Sequence, residues 1–213
     1  RSLTRRSFGV LALGSFSALA LAACGSSNSS DSNASASSAS TSAKPAPSAL
    51  PSGMGSTAGD GEFPRTVGHF RGETKIESAP KSVVILSTGQ LDDVLALGLV
   101  PIGAATANDA DLVPEYLKTK FSDKSAELDK IAKVGKRTEP DLGAIANLHP
   151  DLILINKTNK KEEVYESLSK IAPTVVTEGT GHNWKQDFLM IASALGATSK
   201  AEEMLKDYED KAK

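Results

Sequence analysis

The run Leu152-Ile153-Leu154-Ile155 constrains this chain more than any other feature. A strand covered on both faces reads as a continuous apolar run, not as alternation, and such strands belong to the interior of parallel sheets flanked by helices. The residues ahead of it fit that setting. Val134 and Gly135 close a short strand, and Gly135 can take a positive φ without steric cost. Thr138 is the expected N-cap of the next helix, with Asp141 as its acidic partner three positions on. Pro140 is expected in the first turn, where its missing N–H costs nothing. Leu142, Ile145, Ala146 and Leu148 then form one apolar helix face. Arg137 falls just ahead of that helix, at the carboxyl end of a strand. Open α/β sheets bind their ligands at that edge.

The same alternation extends along the chain. A hairpin is expected over 66–70 and 73–76, around Arg71-Gly72. Strands are expected over 82–87, 100–104, 133–134 and 174–177. Helices are expected over 90–97, 112–121, 162–171 and 184–195, with Gly98 and Gly196 as stops. The fold class is therefore α/β, a mainly parallel sheet sandwiched by helices. Ser199-Lys200-Ala201-Glu202 reads as a capping box. It opens an amphipathic helix whose face carries Ala201, Met204, Leu205, Tyr208 and Ala212. No stop signal precedes Lys213, so this helix is expected to be cut while still running.

The first residues are of another kind. Arg5 and Arg6 precede 16 uncharged apolar or small residues, 8–23, too short to span a bilayer comfortably. Residues 1–23 read as an export signal, and Thr4-Arg5-Arg6-Ser7-Phe8 resembles the twin-arginine type. Leu21-Ala22-Ala23-Cys24 resembles the lipobox of bacterial lipoproteins, with Cys24 as the lipidated residue. Cys24 is the only cysteine of the chain, so intrachain disulfides and Cys-rich zinc sites are excluded. Residues 24–62, rich in Ser, Ala, Gly, Asn and Pro, bury too little apolar surface to offset the entropy of ordering. They are expected to be a disordered tether, the alternative being a glycosylated stalk, with the α/β domain over 63–198.

Composition excludes several functions. The chain carries 24 basic and 26 acidic residues, a net charge of −2. Without the three arginines of the signal, 21 basic face 26 acidic residues. No basic stripe suggests nucleic acid. His69, His149 and His182 share no metal-ligand spacing. Ser87-Thr88-Gly89 is not a nucleophile elbow, and no glycine-rich phosphate loop is present. Asp92 and Asp93 are adjacent on a helix, so they do not face each other and read as a solvated face.

Four segments in order resemble the siderophore-binding lipoproteins of bacterial iron ABC transporters. They are Pro80-Lys81-Ser82-Val83-Val84-Ile85-Leu86, then Leu91 through Gly103, then Val134-Gly135 with Thr138-Glu139-Pro140-Asp141-Leu142 and His149-Pro150-Asp151-Leu152-Ile153, then Leu168 through Val175. The resemblance implies two α/β lobes joined by a long helix, with a ligand cleft between them. By resemblance, 63–198 is the first lobe and 199–213 the start of the connector, and the second lobe is expected to be absent. The implied function is capture of a ferric siderophore, of hydroxamate or citrate type, and its delivery to a permease. No enzyme activity and no cofactor are implied, since the chelator holds the iron and no direct metal ligand is required. The implied partners are the permease and ATPase subunits and, through Cys24, the outer face of the cytoplasmic membrane. Alternatives are a haem or corrinoid receptor of the same family and, in another class, a parallel α/β enzyme.

The resemblance also assigns roles. Arg137 matches the arginine that reaches oxygens around the ferric centre; its planar fork of five donors suits a hydroxamate or carboxylate oxygen. Lys157 opens a basic loop, Lys157-Thr158-Asn159-Lys160-Lys161, that suits an anionic chelate. This loop lacks the aromatic residue found in some hydroxamate binders. Trp184 is a further candidate for the cleft rim. Glu162, Glu163 and Glu166 are the candidates for docking to the permease.

Overall fold

The structure, a computed structural model, describes residues 45–107, 110–179 and 181–213. All of them fall in one compact unit, Ala43–Lys213. The signal, Cys24 and the tether up to residue 44 lie outside the described residues.

The lobe is built on a six-stranded sheet in the order β6-β5-β4-β3-β7-β8. These strands are β3 (Val83–Ile85), β4 (Gly103–Thr106), β5 (Ala132–Lys136), β6 (Glu139–Pro140), β7 (Leu152–Asn156) and β8 (Thr174–Thr177). Neighbours are parallel except β6, which returns antiparallel along β5. The apolar run at 152–155 is buried throughout, paired with β3 on one side and β8 on the other. Its register is pinned from below. The Asp151 carboxylate accepts from Lys81 N at 2.8 Å and Ser82 N at 3.0 Å, which aligns the start of β3 with the start of β7. Alternate residues of the strands enter two cores, one with Val83, Ile85, Leu152 and Leu154, the other with Val84, Ile153 and Ile155.

The helices are α1 (Gln90–Ala96), α2 (Glu115–Lys120), α3 (Ser125–Leu128), α4 (Leu142–Asn147), α5 (Glu162–Ile171), α6 (Trp184–Leu195) and α7 (Thr198–Lys211). The expected α5, β8 and α6 fall where the sequence places them. A separate hairpin, β1 (Arg65–His69) and β2 (Gly72–Ile76), lies beside β8, to which Phe70 N donates at Val176 O, 3.2 Å. The second strand of the α/β pattern begins at Gly103, three residues later than expected, because Val100 and Pro101 still belong to the turn after α1.

Two capping expectations are corrected. Thr138 does not cap α4, and Pro140 is not in its first turn. Glu139–Pro140 pairs back on β5 as β6, and the helix starts at Leu142 with Asp141 as N-cap, its Oδ1 accepting from Ala144 N at 2.9 Å. The extra strand wins because Gly135, at φ 90, folds the chain back so that Asp141 N reaches Val134 O at 2.9 Å. Ser199 does not cap α7 either. The helix begins one residue earlier, and its first amides, Thr198 N and Ser199 N, donate to the Asp60 carboxylate at 2.8 and 3.0 Å. A cap supplied from 138 residues away is invisible to a local motif.

Asp60 belongs to the stretch 45–62, read from composition as tether. Its described residues pack on the lobe: Leu50 and Met54 join the core, and Gly55 pairs with Gly68. On α7, Ala201 and Leu205 are buried against α6, whereas Met204 and Tyr208 are exposed. Only part of the predicted apolar face is therefore covered by α6.

Candidate functional site

The chain leaves the carboxyl ends of the parallel strands after Ile85, Thr106, Lys136, Asn156 and Thr177, all on one edge of the sheet. Arg137 sits in the turn between β5 and β6. Its backbone N donates to Thr106 O at 2.9 Å, and its Nη1 donates to Thr88 Oγ1 at 2.9 Å. The guanidinium has no carboxylate partner among the described residues. Arg137, Thr138, Thr158, Asn159, Lys160 and Lys161 line a depression of about 320 Å³. Three cations and no acid make this wall, and Lys160 and Lys161 are exposed. A second cavity, about 180 Å³, adjoins it between the ends of β3 and β4, with Thr88, Asp92, Thr106 and Tyr116 among its walls. Thr88 thus touches Arg137 on one side and the second cavity on the other.

Lys157 does not line the depression. It pairs with Glu178, and its ammonium stands 5.1 Å above the ring of Phe70. The ring under Lys157 comes from the hairpin, not from the loop itself. Nothing local marks Phe70; the signal is tertiary. Trp184 is not brought to Arg137. Its ring meets Tyr208 edge to face, at 5.2 Å and 82°, within the cluster that joins α6 to α7. Of the three glutamates, Glu162 is paired with Arg71, while Glu163 and Glu166 are exposed in the first turns of α5.

Beneath the rim lies a buried polar layer. Gln90 Oε1 accepts from Leu86 N and Ser87 N at 3.2 and 3.0 Å. Ser87 Oγ accepts from Asn156 N at 2.9 Å, and Asn156 Oδ1 from Thr158 N at 3.1 Å. These bonds tie the loop after β3 to the loop after β7. Asp187, 2% exposed, accepts from Gly179 N with both oxygens at 3.1 Å. Burial pushes its carboxyl up to about 6, against the pull of the Gly179 and Glu178 amides. Asp93 corrects the solvated-face reading: burial, then the charges of Asp187 and Asp92, push its carboxyl well above the usual range.

His69 is buried in the hairpin, where Nε2 meets Thr74 Oγ1 at 2.8 Å and Nδ1 accepts from Arg71 N at 3.1 Å. Burial pulls its imidazole down to about 4. Between pH 6.5 and 4 the unfolded chain therefore binds a proton that the folded His69 refuses, and stability falls as pH drops through that window. Asp187 acts oppositely, favouring the fold as pH falls from 6 toward 3.8. His69→Gln is thus expected to resist acid better than the parent. Denaturant titrations at pH 6.5 and 4 should show its relative stability improving by about 2 kcal/mol after allowance for solvent screening. Parallel pH profiles would show that His69 titrates normally.

Among the described residues no helix is long and apolar enough to cross a membrane, and no three His, Cys, Asp or Glu cluster as metal ligands. A mainly parallel α/β lobe thus carries a cationic depression at the carboxyl edge of its sheet. The chain belongs to the periplasmic binding protein family, which matches residues 83–213. It is 36% identical, over 68% of its length and 42% of the relative's, to the "Probable siderophore-binding lipoprotein YfiY" of Bacillus subtilis. It is 37% identical to the petrobactin-binding protein YclQ of the same organism, over 63% of this chain and 39% of that one. The crystal structure of Staphylococcus aureus SirA complexed with staphyloferrin B superposes with a TM-score of 0.60 and 37% identity, covering 68% of this chain and 47% of SirA. The chain thus spans less than half the length of each of these three proteins.

Proposed function

We propose that this chain is the first lobe of the extracytoplasmic substrate-binding component of an iron(III)-siderophore ABC importer. Residues 63–198, with the segment 45–62 packed on them, form the lobe, and α7 is the start of the connector to a second lobe. The depression lined by Arg137, Lys160 and Lys161 carries the reading. Three cations with no acid in the wall attract a ferric chelate whose outer oxygens are anionic, of citrate or hydroxamate type. Arg137 donates to those oxygens without displacing the chelator, because a guanidinium cannot ligate iron. The relatives named for siderophores and for petrobactin support the same class of ligand. The lobe captures and presents; it makes and breaks no covalent bond. Cys24 anchors it by lipid to the outer face of the membrane. Exposed Glu163 and Glu166 are the docking points for the permease, whose ATPase drives uptake.

The test is titration of the protein with ferric citrate, read by intrinsic fluorescence. Arg137→Ala is expected to weaken binding about 30-fold, the worth of about 2 kcal/mol for a hydrogen bond from a charged group. Unchanged affinity, with the circular-dichroism spectrum intact, would remove Arg137 from the site.

A further inference from the structure

Lys160 and Lys161 stand on a loop with little apolar anchorage of its own, yet their position opposite Arg137 makes the depression. The hairpin tip holds that loop. Arg71 Nη2 donates to Asn159 O at 3.1 Å, and Arg71 Nη1 pairs with Glu162, the first residue of α5. The guanidinium lies 5.4 Å over the ring of Tyr165, one turn further along α5, and its side chain is only 17% exposed. Next to it, Phe70 lies under the ammonium of Lys157 and donates its amide to Val176 O at 3.2 Å. Both ends of the loop 157–161 are thereby fastened to the hairpin. The midpoint, Asn159, is held through its carbonyl, immediately before the two lysines.

We propose that Arg71 is a positioning residue for the ligand edge: it clamps Asn159 and Glu162 so that Lys160 and Lys161 face Arg137. The proposal rests on the ferric-chelate reading for its consequence but not for its geometry. A planar fork suits this, since a guanidinium holds a carbonyl and a carboxylate in fixed directions and stacks on a ring, whereas an ammonium is a compact charge on a flexible stem. Glu162 then serves the clamp and leaves permease docking to Glu163 and Glu166. A lone surface ion pair contributes little. The effect arises because the same side chain also holds the backbone carbonyl and the aromatic face.

The test is a double-mutant cycle with ferric citrate as the probe, combined with amide hydrogen exchange. Arg71→Ala is expected to weaken ferric citrate binding about 3- to 30-fold and to speed exchange of the amides of 157–161. On the Lys160→Ala/Lys161→Ala background it is expected to add no further loss, because it acts through those lysines. An equal loss on both backgrounds, or unchanged exchange in the loop, overturns the clamp. Should Arg71→Ala fold poorly, Arg71→Lys supplies the same readouts, keeping the charge but losing the fork. If the double lysine variant itself binds ferric citrate as the parent does, the ligand reading fails, and the exchange measurement still decides the clamp.

Discussion

Replacing Gly135 with alanine is expected to lower the unfolding free energy by about 3 kcal/mol. Gly135 takes φ 90, and a Cβ there would stand 2.6 Å from Asp141 N and 2.8 Å from Glu139 O. Both are backbone atoms of the same turn, so no side-chain rotation relieves the contact. Strain at one left-handed position accounts for only part of the cost; the rest is loss of the Asp141 N to Val134 O bond and of the pairing of β5 with β6. That turn carries Arg137, so ligand capture should weaken with stability. Urea denaturation checks it: the midpoint falls while the slope, set by surface exposed on unfolding, stays constant. A loss under about 1 kcal/mol would mean that the turn relaxes into another form.

Arg65→Ala is expected to cost about 3 to 4 kcal/mol. Arg65 is 2% exposed and makes no direct ion pair among the described residues; carbonyls take its N–H groups, and the Asp60 and Glu62 charges act on it from further away. Nη1 donates to Ser193 O at 2.7 Å, Nε and Nη2 to Glu62 O at 3.0 and 2.9 Å, and Nη2 also to Gly59 O. Ser193 is in the last turn of α6, whose free carbonyls favour a cation. Phe63 covers the other side, with its ring 4.6 Å below the guanidinium. Removing the side chain leaves Glu62 O without its donor, and leaves Ser193 O and Gly59 O only the backbone bonds from Gly196 N and Glu62 N. It also frees the segment whose Asp60 caps α7, so limited proteolysis should cut within 45–62 in the variant and not in the parent. A variant as stable and as resistant as the parent would show that water replaces the guanidinium.

Much of the lobe is legible in the sequence because its signals are local. The apolar run of β7, the periodicity of α5 and α6, and the stop at Gly196 depend on neighbours within a few residues. The site is legible only in part. Arg137 lines the depression because its turn leaves the carboxyl end of β5, the edge that the strand pattern already marks. Lys157 is named and its neighbours Lys160 and Lys161 form the wall, since which lysine of a basic loop faces inward is set by what holds the loop. Trp184 is drawn to Tyr208 by packing between α6 and α7, which no spacing near residue 184 reveals.

By itself the sequence determined the parallel α/β class, the order of most elements and the edge on which Arg137 lies, because hydrophobic periodicity and turn chemistry act over one or two turns of chain. Tertiary structure decided the caps and the clamps. Asp60 on α7, Arg65 on the end of α6, and Arg71 and Phe70 on the loop of Lys160 and Lys161 are all contacts across long stretches of sequence. They form because unpaired amides, carbonyls and charges must find partners once the sheet is buried, and the partner nearest in space is not the one nearest in the chain.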